Sequence, residues 1–349
     1  MKRRDALKTL AALSLPLALA EADEKPNQPL GLVIHSYAVR SSKPLPPDFR
    51  PINDPLAFVE HAAGLSAAGV QTRIGTPDAA ALDRLKDSVA RHGMYLEGIV
   101  TLPKDDADLA RFEAEVVAAA RAGANVVRTV CLSGRRYEQF ATRRQFDEFA
   151  ERSWKSLLLA EPIVARHRVR LAVENHKDWR VDEMLGWLER LDSPWVGVCL
   201  DTGNSIALLE EPHAVVEAYA PWTMTTHLKD MGVAECEDGF LLSEVPLGEG
   251  FLDVRRIVTL LRQRRPEVRL NLEMITRDPL RVPCLTETYW ATMSEVRATA
   301  LADALSRVRK HRFAGELPVV SRLPHRQQLQ TEADNIDRSL RYAETKLTG

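Results

Sequence analysis

Residues 168–179 read RVRLAVENHKDW. The apolar positions Val169, Leu171, Ala172 and Val173 form a short β-prone run, and the run stops at Glu174-Asn175-His176. A strand buried on both faces gains nothing from ending in a carboxylate, an amide and an imidazole. The pattern therefore reads as a core strand that delivers polar groups at its C-terminal end.

The same pattern recurs on either side of this stretch. Upstream, 30–37, 70–74, 94–102 and 124–132 read as strands one to four. The helices between them begin at Asp54-Pro55 and end at Gly69, run from Pro77 to His92 with Gly93 as stop, and run from Asp105 to Ala122 with Gly123 as stop. A long helical stretch at 143–166 precedes 168–175, the fifth strand, and helix 181–191 follows it. Downstream, 195–201, helical turns through 206–219, 222–230, a longer loop, helix 252–265 and 268–275 complete the set. Eight strand–helix units across residues 29–285 have the size and rhythm of an α/β (β/α)8 TIM barrel. The first turn, His35-Ser36-Tyr37, lacks the glycine pattern of a dinucleotide-binding open sheet. Residues 286–349 are helical in pattern and strand-poor, and read as a C-terminal extension that packs on the barrel or joins a second copy in a homo-oligomer.

Composition narrows the function. The chain has 349 residues, 45% hydrophobic and 28% charged, with a formal net charge of −2. There is no basic stripe for nucleic acid. Cys131, Cys199, Cys236 and Cys284 are widely spaced with no CxxC pair, which rules out a zinc finger. Residues 1–22 stand apart: Lys2, Arg3, Arg4 and Lys8 precede an apolar stretch, 10–20, that is too short to span a bilayer. This segment reads as a twin-arginine-like signal peptide and not as a stable membrane anchor, so the expected location is periplasmic or otherwise exported.

In a barrel the C-terminal strand ends converge on one mouth. Strand five brings Glu174 there, strand six Asp201 within CLDTGN, strand seven His227 within TTHLKD and strand eight Glu273 within NLEMI. Alone, Asp201 reads equally as a helix cap. Together, three carboxylates and one imidazole form a hard donor set suited to Mn²⁺, Mg²⁺ or Co²⁺ and compatible with Zn²⁺. Other residues near the mouth carry two readings each. His176 is a second acid/base or a solvated loop histidine; Lys229 binds a substrate oxygen or makes a rim salt bridge. His35 and Arg128 line the mouth or make core hydrogen bonds. Trp179 and Trp290 stack on a sugar or simply pack, and LGEG (247–250) shapes the pocket or is an ordinary turn.

The run VENHKDW, CLDTGNS, THLKDMG, LGEG and NLEMI resembles the xylose isomerase-like TIM-barrel superfamily, over roughly residues 30–280. The resemblance implies a divalent metal, manganese foremost, held by Glu174, Asp201, His227 and Glu273. It implies a sugar isomerase or epimerase that abstracts a proton beside a metal-polarised carbonyl, with Glu174 and Glu273 as the acid/base pair. Two departures matter. Asn204 stands where the ketohexose epimerases of this superfamily carry a histidine, and Val233 where they carry an arginine. Asn204 remains a candidate substrate contact. The departures point away from simple ketohexose epimerisation and keep open a lyase, dehydratase or 3-keto-glycoside eliminase, with His176 and Lys229 as leaving-group acids. A non-catalytic envelope carbohydrate-binding protein is the third reading. The expected partner is a small carbohydrate.

Overall fold

The computed structural model describes residues 28–42 and 44–348. The expected signal segment at 1–22 lies outside the described residues. No helix among them is long and apolar enough to cross a membrane.

Eight parallel strands form the central sheet: β1 (Leu30–Val33), β2 (Gly69–Thr72), β3 (Tyr95–Ile99), β4 (Val126–Thr129), β5 (Arg170–Glu174), β6 (Val196–Asp201), β7 (Thr223–His227) and, after an inserted hairpin, β10 (Leu270–Leu272). They pair in the order β10-β1-β2-β3-β4-β5-β6-β7. The ring closes where the Leu228 N–H donates to the Asn271 carbonyl at 2.7 Å and the Glu273 N–H donates to the Leu228 carbonyl at 3.1 Å. The TIM-barrel expectation holds. Helices wrap the outside, and their inner faces pack on the strands in one large apolar cluster in which Phe58, Phe112, Val116, Val164 and Ile257 of the helices and Leu171 of β5 are buried.

Local chemistry sets the element boundaries. Asp54 and Asp78 accept the N–H groups of Ala57 and Ala81 and start the helices Pro55–Gly64 and Ala79–Arg91. The first helix ends at Gly64, short of the expected stop; Gly69 instead opens β2, where a Cβ would meet the Tyr95 ring at 2.3 Å. Strand one ends earlier than its apolar run, because Ile34–Tyr37 turns into a 3-10 helix. Strand eight shrinks to three residues, so Glu273 sits just past it.

The largest difference from expectation lies between β7 and the helix Val254–Arg264. There, β8 (Asp230–Cys236) and β9 (Gly239–Val245) form an antiparallel hairpin, extended by β11 (Leu280–Val282), instead of a loop. The C-terminal helices Ala298–Lys310 and His325–Lys346 follow. The second docks on its own barrel: Glu332 accepts the Val39 and Arg40 N–H groups at 2.6 and 3.1 Å, and Gln28 donates to the Leu340 carbonyl.

Candidate metal centre

Ligand atoms of Glu174, Asp201, His227 and Glu273 lie within 4.8 Å of one another, and all four residues are buried. Parallel register produces this. Glu174 pairs beside Cys199 on β6, and Asp201 beside His227 on β7, so alternation turns the chemistry-bearing side chains inward at the same end of the barrel.

Asn175, next to Glu174, faces the neighbouring strand. Its amide accepts from the Asp201 N–H at 2.7 Å and donates to the Asp201 carbonyl at 2.9 Å. It therefore extends the β5–β6 ladder by one side-chain rung and fixes where Asp201 sits. Asp201 uses Oδ1 to take the Gly203 and Asn204 N–H groups, both at 2.8 Å, and so caps the 3-10 helix Asn204–Leu208. Its other oxygen faces the cluster. The cap reading and the ligand reading of Asp201 thus describe two atoms of one side chain.

His227 is oriented from below. A fully buried polar layer of Gln71, Glu97, Thr225 and Asn271 fills the barrel beneath the ligands. Glu97 accepts from Gln71 Nε2 at 2.9 Å, from Thr225 at 2.7 Å and from Asn271 at 3.2 Å. With its amide nitrogen on Glu97, Gln71 presents its oxygen to His227 Nε2 at 2.7 Å. Nε2 then donates its N–H to Gln71, and Nδ1 faces Glu174 Oε2 (3.3 Å) and Glu273 Oε2 (3.4 Å).

Burial lowers the His227 pKa, but Cys199, Glu273 and Glu174 raise it well above its ordinary value, so a proton on Nδ1 holds the three groups together and a divalent cation would take that proton's place. His227 Nδ1 and Asp201 Oδ2 are buried atoms that make ion pairs but no aligned hydrogen bond. Three carboxylates and one imidazole converging in a buried site, with a supporting layer that orients the histidine, fit a divalent cation. Glu174, Asp201, His227 and Glu273 would hold it.

Cations of the protein hold the carboxylates. Arg128 donates twice to Glu174 Oε2, through Nε at 2.6 Å and through Nη2, while Asn204 Nδ2 donates to Oε1 at 3.0 Å. Burial pushes the Glu174 carboxyl up, but Arg128 and then His227 hold it well below the ordinary carboxylate range. Lys229 Nζ lies 2.8 Å from Glu273 Oε2, 3.1 Å from Asp201 Oδ2 and 3.2 Å from Glu244 Oε1. His35 Nδ1 contacts Glu273 Oε1 at 2.9 Å. Glu273 is likewise held low, burial being outweighed by His227 and Lys229.

The other residues named from sequence separate here. His35 and Lys229 lie against Glu273. Arg128 and Asn204, expected at the substrate, are both spent on Glu174, and the Asn204 oxygen also accepts from Lys177. His176 stands aside: Nδ1 contacts the Gly134 carbonyl at 3.1 Å, and burial followed by Lys177 lowers its pKa to about 3, which makes it a neutral imidazole. Trp179 packs in an aromatic cluster with Phe146 and Phe149. Lys177, Gln71, Glu97, Glu244 and Arg277 were not foreseen. Lys177 had a signal, one residue past His176 in the opening stretch. The others come from strand interiors, from the hairpin and from the segment after β10, where only the fold brings them together.

A family profile described as xylose isomerase-like TIM barrel matches residues 59–310. Over 94 residues the chain is 36% identical to 3-oxo-isoapionate decarboxylase of Pectobacterium atrosepticum; this covers 26% of the chain and 34% of that relative, about a third of its length. Among solved structures, D-psicose 3-epimerase in the presence of D-fructose superposes with a TM-score of 0.55 at 15% identity, covering 84% of this chain and 93% of that one. A xylose isomerase-like TIM barrel protein from Mycobacterium smegmatis in complex with magnesium gives 0.52 at 16% identity, over 80% and 98%. At these identities the structural likenesses speak for the fold alone.

Proposed function

The chain belongs to the xylose isomerase-like TIM-barrel family, and from that premise we propose that it is a divalent-metal-dependent sugar isomerase or epimerase that moves a proton at a carbon next to a carbonyl. The observation that carries the reading is the convergence of His227 Nδ1 and the oxygens of Glu174, Asp201 and Glu273 within 4.8 Å of one another. Manganese suits this hard donor set best, and magnesium, cobalt or zinc are compatible with it. When bound, the ion supplies Lewis acidity, which acidifies the carbon next to a carbonyl.

The protein's own groups divide the remaining work. Glu174 has both oxygens occupied by Arg128 and Asn204, and acts as an anchor. Glu273 Oε1 meets His35, which lines the cavity at the barrel mouth, and is the oxygen that takes and returns the proton. Lys229, 2.8 Å from Glu273 Oε2, is the second proton carrier and a donor to developing negative charge. The basic, apolar start of the chain supports an exported enzyme, which favours an unphosphorylated carbohydrate.

A lyase is the second reading, favoured by the decarboxylase relative and by the clamp on Glu174. Breaking a C–C or C–O bond requires fewer carboxylate bases than proton transfer on both faces of a carbon.

Solvent deuterium exchange with Mn²⁺ present tests both readings. Keto-sugars, inososes and 3-keto-glycosides incubated in D₂O and followed by NMR are expected to take up deuterium at carbon. Glu273→Gln is expected to abolish that uptake while retaining part of the metal. Undiminished exchange in the variant overturns the role of Glu273. Loss of water, CO₂ or an aglycone in the same tube identifies a lyase.

A further inference from the structure

A cavity of about 570 Å³ opens at the ends of β1, β2 and β3 and beside the segment after β10, among them His35, Thr72, Arg73, Ile99, Ile275 and Arg277. Its volume suits a small ligand. It adjoins the metal-ligand cluster, because His35, which lines it, contacts Glu273 Oε1 at 2.9 Å. Its lining holds two arginines and no carboxylate. That is not a reflection of the whole molecule, whose formal net charge is −2.

The two arginines are differently placed. Arg277 Nη2 donates to Glu244 Oε1 at 2.6 Å, but that carboxylate is shared with Lys229 at 3.2 Å, and its other oxygen takes the Ile275 N–H at 2.6 Å. Arg73 is exposed, follows β2 directly, and makes no ion pair or side-chain hydrogen bond among the described residues.

Deeper in the barrel, four buried carboxylates (Glu174, Asp201, Glu244 and Glu273) meet the cationic Arg128, Lys177, Lys229 and Arg277. Four lysine and arginine cations thus face four carboxylates, and no carboxylate is left over at the centre. A divalent cation and Arg73 add positive charge with no protein group to answer it. A neutral sugar brings no charge to answer it; a ligand carrying a carboxylate does.

We infer that the mouth selects anionic carbohydrates, sugar acids whose carboxylate is gripped by Arg73 and Arg277 while the hydroxyl and carbonyl end lies toward Glu273. The guanidinium fork matches a carboxylate with two parallel hydrogen bonds, which a sugar hydroxyl cannot reproduce. This inference rests on the proposed function for which end of the ligand faces the ligand cluster and for the charge the cation adds, while Arg73 and Arg277 supply the rest.

Calorimetric titration of the full chain, with and without Mn²⁺, tests it with matched probes: D-glucuronate, D-galacturonate and D-gluconate against D-glucose and D-galactose. At least one acid is expected to bind about tenfold or more tighter than its parent sugar, the scale of one charge-assisted pair. The preference is expected to shrink as salt rises, to collapse in Arg73→Gln and to return in part in Arg73→Lys. Equal binding of acids and neutral sugars, no binding of any acid, or an unchanged preference in Arg73→Gln overturns the inference. Anion preference that depends on Arg73 but not on Mn²⁺ leaves the inference standing and counts against the metal-dependent reading. Mn²⁺-dependent binding that ignores charge does the reverse.

Discussion

At Asp201 one carboxylate oxygen takes two backbone N–H groups while the other turns to the ligand cluster, so the cap that folds the turn also aims the ligand. His227 is treated the same way from the opposite side, by a glutamine whose own orientation is dictated by Glu97. Gln71 orients the His227 ring and gives one of the hydrogen bonds that buried Glu97 accepts, so its removal should be felt first in the metal, with the secondary structure kept. Gln71→Leu is expected to weaken Mn²⁺ binding roughly 10–100-fold, read by calorimetry, with a far-ultraviolet circular dichroism spectrum like that of the parent. Unchanged affinity would show that the ring is oriented by something else. The four ligands were legible in the sequence because each ends a strand, and strand ends converge in a barrel. Gln71 and Glu97 were not, because a polar residue inside a strand carries no sign of which partner it will meet across the ring. Arg128 and Asn204 had a signal of position but none of partner, and the partner turned out to be Glu174.

Among elements, the β8–β9 hairpin departs most from expectation, yet it had a local sign: Glu237-Asp238-Gly239 is turn chemistry between two runs of strand-forming residues. The sign was masked because β8 follows β7 after two residues, so TTHLKDMGV reads as one strand running into a loop. The hairpin brings Glu244 back over the mouth to Lys229 and Arg277. Its root is tied by Asp230, which accepts the N–H groups of Met231, Gly248, Gly250 and Leu252. This explains the glycine at 250: a Cβ there would meet Asp230 Oδ1 at 2.1 Å and the Met231 nitrogen at 2.5 Å. Gly250→Ala is expected to cost about 1–3 kcal/mol in urea unfolding. Glu249→Ala, which removes only an exposed pair with Arg338, should change stability by less than about 1 kcal/mol. Equal effects of the two would mean that the loop is not held by Asp230.

On the scale of the whole molecule, the barrel was readable from its rhythm, since eight strand–helix alternations leave few other folds. How the C-terminal helix is used was not readable, since its apolar stripe fits a neighbouring subunit as well as its own barrel. In the structure Leu329, Ile336, Leu340 and Ala343 are buried within the chain itself. Ile336→Ala is therefore expected to lower stability by about 2–5 kcal/mol, with a fall in thermal midpoint that does not depend on protein concentration. A concentration-dependent fall would place that face between subunits instead. The contact from Glu332 to Val39 and Arg40 joins residues 293 and 292 apart in sequence. It completes the turn that follows β1 and carries His35 to the mouth. During synthesis that turn has to wait, its N–H groups served by water, until nearly the whole chain has left the ribosome. A molecule interrupted before residue 332 could have every metal ligand in place and still lack a finished entrance to its cavity.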